Sequence, residues 1–169
     1  MDAAPRAALS LPAALALGTL AVGTLDGLDA LVFFGLRGVP PVRVLQSIAS
    51  GLLGPAAFQG GGATAALGVL LHFLIAAGVV STYVLASRRL PALAGRPWLL
   101  GPLYGLAVFA VMYGGVLPLS AASARLPAGV VLLNALLIHA LGVGLPSALA
   151  AWAAHPRGPR VPAQPAPLR

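Results

Sequence analysis

Four long apolar runs, separated by short gaps that contain arginine, are the feature that most restricts how this chain can fold. A hydrocarbon core of about 30 Å is crossed by a helix of about 20 apolar residues. All four runs reach that length and are predicted to span a membrane, at Leu11 to Leu36, Ala63 to Ser87, Trp98 to Leu119 and Ala128 to Trp152. The predicted fold is therefore an all-α membrane protein, a bundle of four transmembrane helices.

The composition supports this fold and excludes several classes of function. Apolar residue types make up 59% of the 169 residues and charged types only 8%, against roughly 25% in soluble domains. The net charge of +7 comes from arginines in the gaps between spans and in the two terminal segments, where they act as topology signals and not as a nucleic-acid surface. We therefore expect the lipid bilayer as partner and no nucleic acid, with a homo-oligomer left open. The absence of cysteine excludes disulfides and thiolate metal sites.

Arginine also predicts the orientation, because positive residues are retained on the cytoplasmic side. With both termini cytoplasmic, seven arginines lie inside and three outside; the inner set is Arg6, Arg88, Arg89, Arg96, Arg157, Arg160 and Arg169, and the outer set is Arg37, Arg43 and Arg125. We divide the chain into a transmembrane domain, residues 1–155, and a cytoplasmic tail rich in proline and arginine, residues 156–169, predicted to be disordered. His155, beside this tail, is expected to be solvated.

A short amphipathic helix is predicted between the first two spans. After Pro40 and Pro41, apolar residues recur at helical spacing as far as a break at Gly54-Pro55. About 13 residues are too few to cross a bilayer. This segment is either an interfacial helix on the outer surface or a re-entrant helix that covers a cavity.

Glycines spaced four apart predict close packing of the spans. Gly23 and Gly27 form one such pair in the first span, and Gly101 and Gly105 form another in the third. Each pair leaves a flat strip that another helix can approach. Pro146 removes a backbone hydrogen bond to Gly142 and predicts a bend in the fourth span.

Polar residues within the spans are the candidate site. A charged aspartate near the bilayer centre costs at least about 2.5–3.5 kcal/mol, so it needs a partner, water or a proton. Counted inward from the outer ends of their spans, Asp26, His72 and His139 reach the same depth, about 15 Å at the helical rise. Three further residues complete the candidate binding set in the outer half of the bundle: Asp29, Asn134 and Tyr113.

These residues permit several interpretations. An Asp–His hydrogen bond could only fix the helix register, which would suit a structural or accessory membrane protein. Alternatively, the two aspartates and two histidines suit Zn²⁺, Mn²⁺ or Fe²⁺, an Asp–His pair could relay protons, or His72 and His139 could hold haem. No cofactor or metal is identified by spacing. No nucleophile with a base is recognisable, so we expect no enzymatic activity. The leading hypothesis is transport or sensing of a small solute, proton or metal ion through a polar pocket in the outer half of the bundle.

Four short runs resemble a family of small uncharacterised bacterial inner-membrane proteins, distantly similar in plan to the YagU-type four-helix proteins. They are Gly23 to Asp26, Arg43 to Gly54, Leu71 to Ala76 and Leu117 to Ser120. The resemblance implies a multi-pass protein of the bacterial inner membrane and implies no activity. Family members often carry asparagine at the position of Tyr113 and can carry tyrosine at that of Asp29, which weakens these two candidates relative to Asp26 and His72.

Overall fold

The computed structural model describes residues 8–123 and 126–155, and every regular element in these ranges is helical. In chain order the helices are α1 (Leu11–Gly35), α2 (Pro41–Leu53), α3 (Gly61–Arg89), α4 (Ala92–Gly95), α5 (Pro97–Leu119) and α6 (Gly129–Ala154), with a short 3-10 turn (Gly54–Gln59) between α2 and α3. Four of them, α1, α3, α5 and α6, are long and apolar enough to cross a membrane. The predicted four-helix fold is confirmed, and each span ends within two residues of its predicted limit.

Helix α6 lies at the centre of the bundle, in contact with α1, α3 and α5, while α1 also packs against α3. We call the half that holds the C-terminal ends of α3 and α6 the inner half, and the opposite half the outer half. The main core cluster includes Val80 and Val84 of α3 with Val143 and Ala148 of α6, and belongs to the inner half. In the outer half, Gly129–Ile138 at the start of α6 buries no residue. The outer part of α6 is therefore less buried than its inner part.

The two glycine pairs pack in different ways. A β-carbon at Gly105 would collide with the backbone carbonyl of His139, and one at Gly101 would lie 2.9 Å from the Cα atom of Leu145. Helices α5 and α6 therefore approach backbone to backbone, as predicted. In α1, by contrast, Gly23 faces the ring of Phe73 and Gly27 faces the ring of His72. That pair makes room for aromatic side chains of α3, because rings and not backbone occupy the space above it.

Two helices contain a wide turn just before a proline. In α6 the π-helical turn His139–Gly144 precedes Pro146, and the N–H of Leu145 donates to the carbonyl of Ala140, five residues back. In α5 the turn Met112–Val116 precedes Pro118. Because proline has no N–H to donate, the hydrogen-bond ladder must adjust next to it. The wide turn includes Gly142, the residue whose carbonyl Pro146 was predicted to leave free; the bend predicted there stays a prediction.

Helix α2 packs against the outer part of α3 and also contacts the end of α5. The carbonyl of Leu45 lies against Gly68, and the amide of Gln46 donates to the Gly61 carbonyl at 3.0 Å and to Thr64 Oγ1 at 3.2 Å. Gly68 lies four residues before His72, about 6 Å along the helix axis. Helix α2 therefore lies against α3 at the outer end of the bundle, four residues from His72.

The prediction for His155 was wrong. Its ring is partly buried, with Nδ1 donating to the Ala151 carbonyl at 2.8 Å and Nε2 lying 3.1 Å from the Ser87 carbonyl. Helix α6 continues to Ala154, two residues past its predicted end, and this carries the ring against the end of α3. The predicted disordered tail, residues 156–169, and Arg125 lie outside the described residues.

Candidate functional site

The site is centred on a contact between α1 and α3. His72 lies on the stripe of α3 between Gly68 and Ala76, both of which are buried. Its Nε2 lies 2.8 Å from the carbonyl oxygen of Gly23, and its Nδ1 lies 3.9 Å from Asp26 Oδ2. The side chains of His72 and Asp26 are 15% and 29% exposed. The structure therefore brings together two of the three residues that the depth count placed at one level.

The hydrogen bond to Gly23 fixes the protonation pattern of the His72 ring. A carbonyl oxygen can only accept, so Nε2 must carry a hydrogen. Nδ1, which faces Asp26, is then a lone pair in the neutral ring and an N–H in the charged ring. With a proton on Nδ1, the charged ring forms an ion pair with the ionised carboxyl group of Asp26. Without that proton, a neutral ring faces the carboxyl group. Nδ1 is therefore the ring atom that faces Asp26, and Nε2 is held by the backbone of α1.

Asp29 has a different partner. The amide Nδ2 of Asn134 donates to Asp29 Oδ2 at 2.7 Å, which joins α1 to α6. The two aspartates of α1, three residues apart, therefore reach two different neighbouring helices. Asp29 is held by a neutral amide, while Asp26 faces an imidazole that can carry charge.

His139 and Tyr113 lie on the third side of the site. The Nδ1 of His139 donates to the carbonyl of Ala135 at 2.8 Å, and the ring packs edge to face on Phe109, with centroids 5.4 Å apart. Phe109 also packs on Tyr113, at 4.7 Å between centroids. The structure thus pairs Asp26 with His72 and Asp29 with Asn134 by direct contacts, and links His139 to Tyr113 through Phe109.

The cluster does not have the form of a metal or haem site. No three His, Cys, Asp or Glu residues in the described ranges are placed to hold a metal ion. One aspartate is already hydrogen-bonded to Asn134, and His72 directs Nε2 at a backbone carbonyl. Axial ligation of haem or coordination of Zn²⁺ by that nitrogen would require this hydrogen bond to break.

Several contributors to the site were not anticipated from the sequence. Phe109 supports both His139 and Tyr113, and Gln46 with Thr64 fastens α2 above the cluster. The aromatic spacing Phe109 to Tyr113, four residues on one helix face, was a usable signal. The pairing of Gln46 with Thr64 had no such signal in the sequence. The two residues are 18 apart, and the turn between them has a geometry that the sequence does not specify.

No family model matches this chain, and no curated protein or solved structure matches it. The likeness to small bacterial inner-membrane proteins therefore stays a prediction. Function has to be argued from the chemistry of the cluster itself.

Proposed function

We propose that the protein is a multi-pass membrane protein that binds and releases protons at Asp26 and His72, and that it uses this site to transport or sense a proton or a small solute. The observation that carries the proposal is the 3.9 Å contact between Asp26 Oδ2 and the His72 nitrogen left free by the Gly23 carbonyl. Ionisable residues in a membrane bundle are costly, and such residues commonly belong to proton or substrate pathways.

Three features support a proton over the other candidates. The donor set lacks the three ligands that a metal centre needs within the described part of the chain. Asp26 is 29% exposed, so the pair is not sealed from its surroundings. His139 adds a second imidazole, which the helical rise places at the same depth as Asp26. Imidazole and carboxyl groups in sequence are the chemistry of a proton relay.

The alternative is an accessory membrane protein whose polar cluster only sets helix register. One observation favours it: in the described ranges, every buried side-chain nitrogen or oxygen has a hydrogen-bond partner. Replacing Asp26 and His72 together by apolar residues of similar size separates the two functions. With both residues replaced, an accessory bundle should fold as well or better, because replacing a buried ion pair by apolar residues of similar volume is often neutral or stabilising. It should also lose no activity.

The proton-binding proposal is tested by infrared spectroscopy of the protein in lipid vesicles as pH is changed. We expect a carboxylic acid band that appears and disappears with pH, is absent from Asp26→Asn, and titrates at a different pH in His72→Leu. The same vesicles, loaded with a pH-sensitive dye and given a potassium diffusion potential, report proton flux. Flux above that of protein-free vesicles, lost in both variants, indicates transport; the band without flux indicates sensing.

The matched control is Thr82→Val, in the same helix as His72. The Thr82 hydroxyl donates to the Gly78 carbonyl, at 2.8 Å, in the inner half of α3. This variant should keep both the infrared band and any flux. A wild-type protein that shows neither a band assignable to Asp26 nor proton flux would rule out the proposal in favour of the accessory alternative.

We further propose that the protein lies in a bacterial inner membrane with both termini cytoplasmic. The support is the arginine count, together with an antiparallel arrangement in which Arg88, Arg89 and Arg96 share one end of the bundle. Arg37 and Arg43 flank the opposite end.

The orientation predicts which introduced thiols can be labelled from outside. Because the chain has no cysteine, Ser47→Cys in α2 and Ala92→Cys in α4 each create a single reactive thiol, and both positions are exposed. In spheroplasts, which have lost the outer membrane, an impermeant maleimide should label Ser47→Cys and should label Ala92→Cys only after permeabilisation. The reverse pattern would show that the orientation is inverted.

A further inference from the structure

The two histidines in the outer half of the bundle are held by opposite ring nitrogens. Nδ1 of His139 donates to the carbonyl oxygen of Ala135, one turn earlier in α6, at 2.8 Å. A carbonyl oxygen can only accept, so Nδ1 carries a hydrogen and Nε2 is the nitrogen that can gain or lose a proton. In His72 the backbone of α1 holds Nε2 and leaves Nδ1. The neutral rings are therefore opposite tautomers.

Nε2 of His139 is open to its surroundings. Within residues 8–123 and 126–155 this atom has no hydrogen-bond partner, whereas every buried side-chain nitrogen or oxygen in those ranges has one. Nε2 is therefore not buried. A lone pair left unsatisfied in a membrane-spanning helix is costly, and water or a bound proton removes that cost.

One face of α5 positions this histidine. We call the residues Gly105, Phe109 and Tyr113, spaced four apart on that face, the α5 stripe. Gly105 makes room for the backbone carbonyl of His139, which a β-carbon there would strike. Phe109 is 9% exposed and meets the imidazole edge to face, with centroids 5.4 Å apart, and the ring of Tyr113 lies behind it at 4.7 Å. The stripe thus contacts both the backbone and the ring of His139.

The histidine also lies level with Asp26 across the contact between α1 and α6. Outward of this level, Asn134 donates to Asp29 at 2.7 Å. Inward of it, a β-carbon at Gly142 would lie 3.6 Å from the Cβ atom of Leu25. The titratable side chains that neighbouring helices bring to this part of the bundle are Asp26 and Asp29 of α1, His72 of α3 and Tyr113 of α5.

From these features we propose that His139 is a second proton-binding residue, that it binds the proton at Nε2, and that Phe109 is the positioning residue for its ring. The inference rests on the proposed function, because it adds a residue to the proton site of Asp26 and His72. A proton taken from water by the Nε2 lone pair makes the ring an imidazolium, and its return to water restores the neutral ring. Nδ1 keeps its hydrogen bond in both states, so the charge changes while the ring stays in place.

The test is nitrogen-15 NMR of the full-length protein, labelled at histidine, in lipid nanodiscs from about pH 4 to about pH 9, which brackets the ordinary histidine titration. The chain has three histidines, so replacing each by glutamine in turn assigns every signal. We expect neutral His139 to carry its hydrogen on Nδ1 and neutral His72 to carry it on Nε2. On acidification, the Nε2 signal of His139 should move to the protonated position.

Variants of Phe109 test the positioning role. Phe109→Leu removes the ring, so the second tautomer of His139 should appear and its titration should shift to a different pH. Phe109→Tyr keeps an aromatic ring and should retain the wild-type tautomer and titration. The matched control is Phe34→Leu, which removes a ring from another edge-to-face pair, with Phe33 at 5.3 Å between centroids. This variant should leave His139 unchanged.

Each outcome bears on the proposal. A neutral His139 with its hydrogen on Nε2, or an Nε2 that stays unprotonated over the whole pH range, would overturn the assignment of a second proton site. A folded Phe109→Leu with unchanged tautomer and titration would overturn the positioning role. If circular dichroism shows that Phe109→Leu does not fold, Tyr113→Leu, which removes the ring behind Phe109, takes its place with the same expectation.

The infrared band of Asp26 separates this inference from the proposed function. The band together with a His139 that does not titrate would contradict the inference alone. A His139 that titrates at Nε2 without that band would contradict the proposed function and would leave His139 as the proton-binding residue.

Discussion

Gly105→Leu should lower the free energy of unfolding by about 3 kcal/mol or more, at or beyond the upper end for overpacked sites. A β-carbon alone at this position would overlap the His139 carbonyl and would lie 2.9 Å from the Cα atom of Ala140. Backbone cannot move aside as a flexible side chain can, so α5 and α6 would have to separate. Thermal unfolding in detergent, followed by circular dichroism, measures the loss.

Two other glycines provide controls for this prediction. A β-carbon at Gly78, in α3, would meet nothing within 4 Å, so Gly78→Leu should be neutral or slightly stabilising, because leucine is a better helix former. Gly27 is intermediate, since its nearest neighbour is the His72 ring at 3.2 Å. The expected order of destabilisation is therefore Gly105, then Gly27, then Gly78. Equal stability of all three variants would contradict the close approach of α5 and α6.

The second large effect concerns the coupling of Asp26 and His72. His72→Leu should destabilise the protein more than the double variant Asp26→Asn with His72→Leu. The single variant removes the imidazole and leaves the carboxylate without its partner at 3.9 Å, while the double variant also removes that charge. We expect an interaction energy of about 1–2 kcal/mol, within the range for residues in direct contact.

Reversible unfolding in mixed micelles, measured for the wild type, both single variants and the double variant, gives this energy. A parallel cycle of Asp26→Asn with Thr82→Val should be additive within about 0.5 kcal/mol, as expected of residues that share no partner. Additivity in the first cycle as well would show that Asp26 and His72 are energetically independent, and the proton-binding proposal would lose its basis.

The sequence predicted the spans well because lipid imposes a simple rule. An apolar run of sufficient length has few stable structures other than a helix in a bilayer. The depth of each polar residue follows from its distance to the span end, and this is why Asp26, His72 and His139 could be placed at one level. Helix length and helical rise were the only quantities required.

The pairing within that level could not be predicted, because it depends on how each helix is rotated about its axis. Depth alone allows Asp29 to face a histidine as readily as an amide, yet Asn134 is its partner at 2.7 Å. The same limitation applies to His155. A shift of two residues in the end of α6 changed it from an expected solvated residue to one held between two carbonyls.

The wide turn at His139–Gly144 has a consequence for the orientation of the cluster. Such a turn contains one residue more than an α-helical turn. One extra residue within a turn rotates the part of the helix beyond it by about 100° about the helix axis, given 3.6 residues per turn. His139 and Asn134 lie on the outer side of this turn or at its start, whereas Ser147 and Ala148 on the inner side are fully buried. The extra residue therefore sets the rotation of the outer part of α6 relative to its buried inner part, and the close approach of Gly105 to the His139 carbonyl holds that rotation in place.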